Sequence, residues 1–140
     1  MAGLRTDKYI VTEQPPEWAG KEARGLFLND GIIKGSFFLQ SFWISKPAKQ
    51  PTPDGTTSHT HDADEIIAFF GSDPSNWRDL GGEVEMWLDG EQHLLTKTCL
   101  IFIPKGLKHC PLIVRRVDRP IFHFSTGPAL KYTRQNETVV

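Results

Sequence analysis

Apolar residues in this chain come in short runs broken by Gly, Pro, Asn and Asp, and no stretch sustains the 3.6-residue period of an amphipathic helix. The runs predict strands over 23–29, 35–45, 58–61, 64–70, 83–88, 92–96, 99–103, 109–117 and 120–126. Many short strands at regular spacing, with turn residues between them, predict a sandwich or small barrel. The clearest hairpin is EVEMWLDGEQHLLT, where Asp89-Gly90 forms a favoured two-residue turn because Gly takes positive φ readily and Asp tolerates it. On its first strand Val84, Met86 and Leu88 alternate with Glu83, Glu85 and Trp87, so one face turns inward. GSFFLQSFWIS is apolar on both faces, which predicts a strand lying between the interior and a second apolar surface.

Two connections exceed ordinary turn length: KPAKQPTPDGTT (46–57), stiffened by three prolines, and the polar GSDPSNWRDLGG (71–82). Loops of that length in a compact domain usually have a reason, and a pocket rim is one. The expected organisation is an N-terminal extension (1–22), a β domain (23–126) and a short flexible C-terminal tail (127–140).

Composition narrows the function classes. The 140 residues suit one domain, and 39% hydrophobic with 24% charged content describes an ordinary globule. Sixteen Lys and Arg against seventeen Asp and Glu leave a net charge of −1, so no strong field is available to attract nucleic acid or a membrane surface. Cys99 and Cys110 make neither a disulfide framework nor a CxxC motif. With no apolar leader or membrane-length run, the expected location is the cytoplasm.

The chemistry gathers in SHTHDADEI (58–66), just ahead of the apolar run IIAFF. His59 and His61, two apart on a strand, share one side, and Glu65 has the same parity as the inward Ile67 and Phe69. An unpaired buried carboxylate costs several kcal/mol or gives up its charge. A divalent metal removes that cost, and neutral imidazole is a common co-ligand. His109, which follows a Pro-x-Gly turn at the entry to another strand, is the best further donor. The plain alternatives are solvent-facing histidines and an ordinary salt bridge for Glu65. Asp62 and Asp64 read as exposed turn residues, and both cysteines as core filler. His123, between two phenylalanines, is either satisfied in the core or projects into a cavity as a candidate catalytic acid or base, with Glu85 or Tyr132 behind it. Gln40, Trp43, Trp87 and Phe102 either line the interior or pack it. Arg78 and Lys105 are either solvated or clamps for an anion.

GTTSHTHDADEIIAFFG resembles the first motif of the cupin family, and IPKGLKHC resembles the second. The resemblance implies an all-β, single-domain cupin jelly-roll β-barrel, with metal ligands falling on His59, His61, Glu65 and His109. Three rather than five residues separate Gly55 from His59, Thr98 replaces the second motif's first glycine, and Ile113 replaces a frequent asparagine; no ligand position is lost. The implied cofactor is one divalent transition metal per chain: Fe, Mn, Ni, Co or Zn. The implied activity is metal-dependent chemistry on a small oxygen-rich molecule. A non-haem dioxygenase leads, ahead of a non-redox isomerase, lyase or decarboxylase and of a non-catalytic binding cupin. A homodimer formed through the outer sheet is also implied.

Overall fold

The computed structural model describes residues 3–15, 24–48, 57–129 and 135–139. After a 3-10 turn at Asp7–Tyr9, the first strands are β1 (Phe27–Leu28), β2 (Leu39–Ile44), β3 (Thr57–Thr60) and β4 (Glu65–Gly71). They are followed by β5 (Asp79–Leu88), β6 (Glu91–Lys97) and β7 (Cys99–Ile103). The last three are β8 (His109–Val117), β9 (Ile121–Thr126) and β10 (Gln135–Val139). One antiparallel sheet has the order β1-β2-β9-β4-β7 and the other β10-β3-β8-β5-β6.

The fold is all-β as expected, but the sheets do not close into a barrel. The first ends in β1 and β7, the second in β10 and β6, and among the described residues no ladder joins one sheet to the other. The physical reason lies in the connections. From β3 onward, apart from the β5–β6 hairpin, the chain changes sheet at each step, so most consecutive strands face each other across the core instead of pairing. Side chains, not edge hydrogen bonds, therefore bridge the layers, as in an open sandwich. The edge strand β6 is mostly exposed and carries Glu91, Gln92, His93 and Lys97, which discourages pairing with another chain.

The interior is built from alternate residues. Val84 and Met86 of β5 are fully buried, as the hairpin pattern predicts, and pack with Phe69, Leu80, Ile103, Val114 and Ile121. Each such side chain contributes about 1.5–3 kcal/mol by leaving water. β5 begins at Asp79, four residues before its predicted start, because Gly81 and Gly82 belong to the strand and not to the expected 71–82 connection. A Cβ on Gly82 would stand 2.3 Å from the Arg116 carbonyl oxygen, and Gly81 has φ +72°, so the bulge there requires glycine. Asp89 (φ 47°) and Gly90 (φ 79°) make the predicted hairpin turn.

Residues 135–139, expected in a loose tail, instead form β10 and pair with β3 through Gln135↔Thr60 and Thr138↔Ser58. Most of the proline-rich 46–57 loop, Gly55 and Tyr132 lie outside the described residues.

Cross-strand register divides the first sheet cleanly. Trp43↔Phe122, Ala68↔Phe124, Ala68↔Leu100 and Ile66↔Phe102 share its outer face. Phe42↔His123, Phe69↔His123 and Ile67↔Ser125 share its inner face. Leu100 and Phe102 are 65% and 60% exposed, so the outer face is an apolar surface open to solvent, as the two-sided pattern of 35–45 suggested. Trp43 and Phe102 thus lie outside, while Gln40, in register with Ser125, faces in.

Candidate metal centre

The two motifs meet at one end of the sandwich. β3 pairs with β8 at His59↔His109, which sets two imidazoles side by side on the second sheet. His61 follows directly after β3, and Glu65 opens β4 on the facing sheet. All four residues are buried: His59 and His109 are 1% exposed, Glu65 4% and His61 7%. Ring centroids lie 4.4 Å apart for His59–His109, 4.7 Å for His59–His61 and 4.8 Å for His61–His109.

The turn that delivers His109 is fixed locally. Leu107 N–H donates to the Pro104 carbonyl at 3.0 Å and Gly106 takes φ +83°, a conformation that suits glycine. Gly106 N–H also donates to the His61 carbonyl at 3.0 Å, tying the second motif to the first. His109 Nδ1 lies 2.9 Å from the Leu107 carbonyl oxygen. A carbonyl only accepts, so Nδ1 carries a proton and Nε2 is the ring atom directed toward Glu65. Asp64 accepts from Lys105 N–H at 2.8 Å, and Asp62 pairs with the Lys105 ammonium at 3.3 Å. Both aspartates are exposed turn residues, as expected, and they brace the same corner from outside.

The donor set fits a transition metal. One candidate atom from each of His59, His61 and His109 falls within 4.8 Å of the others. Glu65 Oε2 is 3.4 Å from His61 Nε2, and Oε1 is 3.7 Å from His109 Nε2. Metal–nitrogen bonds of about 2.1 Å allow two ligands of one ion to stand up to about 4.2 Å apart, so only a small inward adjustment is needed. Three imidazoles and a carboxylate suit borderline divalent ions.

His123 lies elsewhere. It faces inward and is 8% exposed, stacked on Phe69 at 4.8 Å and edge-on to Phe42 at 4.9 Å. Its partner Phe69 is four residues beyond Glu65 on β4, about 13 Å along the strand. Nδ1 is 3.1 Å from the Ala68 carbonyl oxygen, and burial pulls its pKa down to about 4, so the ring is neutral near pH 7. Glu85 does not stand behind it. That carboxylate sits on the outer face of the second sheet, accepting from Trp87 Nε1 at 2.9 Å and Arg115 Nη2 at 2.7 Å. These bonds, Trp87's first, hold its pKa below the usual value. Cys110 is buried in the core cluster, and burial raises the Cys99 thiol pKa, so both are filler as read. Sequence reasoning missed Ser125, which is buried on the inner face between the levels of Glu65 and His123; its place on an alternating strand was the available signal.

No family model matches the chain, and no curated protein does either. Solved structures do match in fold. A cupin protein from Bacteroides fragilis aligns with a TM-score of 0.50 and 19% identity, over 85% of this chain and 91% of its own. A recombinant oxalate oxidase in complex with glycolate gives 0.51 and 13%, over 80% of this chain and 53% of that one. A second oxalate oxidase structure gives 0.51 and 13%, over 81% and 54%. The chain therefore has a cupin-like fold, with a buried tri-histidine cluster that forms a potential site for one divalent metal. Among the described residues no helix is long and apolar enough to cross a membrane.

Proposed function

We propose that this chain is a divalent-metal-dependent enzyme of the cupin type acting on a small oxygen-rich organic molecule. The observation that carries the reading is the convergence of three buried imidazoles and one buried carboxylate from two facing sheets. His59, His61, Glu65 and His109 would hold the metal: Fe, Mn, Ni, Co or Zn. When bound, the metal supplies Lewis acidity toward substrate oxygens, or electron transfer to dioxygen if it is redox-active.

A dioxygenase is the leading reading. Isomerase, lyase or decarboxylase chemistry calls for a dedicated acid or base near the reacting carbon. His123, the candidate for that task, stands about 13 Å along the sheet from Glu65 and is neutral at pH 7. The catalytic part left to His123 is that of an acceptor: its Nδ1–H donates to the Ala68 carbonyl oxygen, and its Nε2 lone pair would accept a hydrogen bond from a hydroxyl at the far end of a substrate. The non-redox reaction and the non-catalytic binding cupin are the alternatives.

The first test is elemental analysis of protein purified without chelator or added metal, beside His61→Ala. Iron or manganese near one per chain, absent from the variant, leads to oxygen-uptake assays of the Fe(II)-loaded protein on diketone, catechol-like and flavonoid-like compounds. Oxygen consumption supports the dioxygenase. Turnover without it selects the non-redox alternative, and absence of metal binding in every form ends the enzyme reading.

Two copies of the chain are also inferred to pair through the outer face of the first sheet. Its strands present Trp43, Ile66, Phe70, Leu100, Phe102 and Phe124 with no charged residue among those of β2, β4, β7 and β9 on that side. A flat, uncharged apolar face is its own complement under a two-fold axis. Light scattering on the wild type and Phe102→Glu checks this, with a dimer and a monomer expected.

A further inference from the structure

The end of the sandwich opposite the metal centre carries a second feature, independent of that centre. The β4–β5 connection and the corner between β6 and β7 enclose an open groove of about 680 Å³, lined by Asn76, Trp77, Arg78, Asp79, Lys97 and Thr98 among others. β4 runs from Glu65 to Gly71 before entering this loop, so the groove lies about 20 Å from the metal ligands.

The groove is exposed, yet its frame is held in place. Thr98 Oγ1 accepts from Gly71 N–H at 2.9 Å and donates to the Trp77 carbonyl, while Thr98 N–H donates to the Arg78 carbonyl at 2.9 Å. One threonine thus fastens the strand end, the tryptophan and the arginine. Asn76 N–H donates to the Asp73 carbonyl and Asp79 N–H to the Asn76 carbonyl, both at 3.1 Å, which keeps the loop in successive turns. Thr98 is the residue that departs from the glycine of the cupin motif, and here its hydroxyl has a structural use.

The chemistry at the surface is asymmetric. Trp77 is 55% exposed, with the Arg78 guanidinium over its indole at 5.0 Å. A cation–π contact of this kind leaves the guanidinium N–H donors available to a further partner. Asp79, the acid in the lining, is already committed: Arg119 Nη2 lies 2.6 Å from its carboxylate. Its pKa is lowered first by the Gly81 N–H and then by Arg119. Lys97 sits opposite Asp79 in the β5–β6 ladder. Among the described residues neither Arg78 nor Lys97 enters an ion pair, so the groove keeps two uncompensated cations beside an exposed aromatic surface.

We propose that this groove is a binding site for a small planar anion: a flat unsaturated ring that stacks beside Trp77 and Arg78 and carries a carboxylate or phosphate for Arg78 and Lys97. A planar guanidinium pairs two oxygens of such a group with two N–H donors, and a lysine adds a point charge. The site is separate from the metal centre and would serve to recruit or regulate.

The test is an NMR titration of the full-length protein that follows the indole N–H of Trp77, assigned from Trp77→Phe. The probes are benzoate and phenyl phosphate, with cyclohexanecarboxylate and benzamide as controls lacking the planar ring or the charge. Both aromatic anions are expected to shift Trp77, and the controls to act at least several-fold more weakly. Loss of the charge-assisted pair in Arg78→Ala should weaken binding roughly tenfold or more. Arg78→Lys should recover only part of it, and His61→Ala should leave it unchanged. A stronger response to phenyl phosphate assigns the natural anion to the phosphate class, and a stronger response to benzoate assigns it to the carboxylates. No shift of Trp77 at millimolar probe, equal shifts with and without Arg78, or equal binding of cyclohexanecarboxylate would each overturn the proposal.

Discussion

Histidine is buried at two levels of the same interior, to opposite effect. At one end His59, His61 and His109 crowd together, with the Glu65 carboxylate 3.4 Å from His61 Nε2 and 3.7 Å from His109 Nε2. Midway down, His123 is also buried, but there it meets the rings of Phe42 and Phe69 and the Ala68 carbonyl. Residue type and burial are shared, so neighbours alone decide the chemistry. Where imidazoles converge beside an acid, their ring nitrogens form a potential cation site; where one imidazole stands among phenyl rings, desolvation keeps it neutral near pH 7.

That contrast can be broken from the metal end first. His61→Ala should lower metal affinity by more than the roughly 10–100-fold that loss of a supporting partner costs, because a donor itself is gone. His123→Phe should leave metal content unchanged by the same elemental analysis.

Next in size is the backbone at the far end. A Cβ on Gly71 would stand 1.9 Å from the Asp79 carbonyl oxygen, so Gly71→Ala is expected to cost on the order of 3 kcal/mol, read by urea denaturation. The effect should appear equally with and without metal, since it arises at the opposite end from the donors.

His123 provides a pH signature. Its folded pKa of about 4 lies below the ordinary 6.5, so between these values the unfolded chain takes up a proton that the folded chain refuses. Stability should therefore fall as the pH drops from 6.5 to 4 and level off below, a contribution of up to about 3 kcal/mol. Metal-free His123→Phe compared with metal-free wild type isolates this term, and parallel pH curves would show that His123 is not desolvated. The smallest effect belongs to Lys105→Ala, which removes an exposed pair with Asp62; thermal melts should shift stability by less than about 0.5 kcal/mol.

Much of this arrangement was legible in the chain. Alternation in EVEMWL named Val84 and Met86 as core, and parity in SHTHDADEI brought His59, His61 and Glu65 to one side before any coordinates. What escaped depended on distant partners. Gly81-Gly82 read as the end of the 71–82 connection because only the Arg116 carbonyl, more than thirty residues on, reveals why a side chain is excluded. Residues 135–139 looked loose because their polar pattern has no inward face; they are ordered as a strand by pairing with β3. Closure of the sheets was misjudged because edge pairing is a property of the assembled layers, not of any strand's own pattern. Glu85 was read as a possible inner acid, although its alternation with Val84 and Met86 already placed it outside.

The register His59↔His109 joins residues fifty positions apart along the chain. Closing a loop of that length carries an entropic cost before any donor contact can offset it. β3, β4 and β8 must all be seated before the four side chains share a space, so capture of a cation by the proposed centre would report that long-range assembly is complete. A chain dominated by such distant pairings folds slowly compared with a helical bundle of its size. In a refolding experiment, metal uptake should therefore lag the appearance of the Asp89-Gly90 hairpin, and the centre doubles as a clock for the last stage of folding.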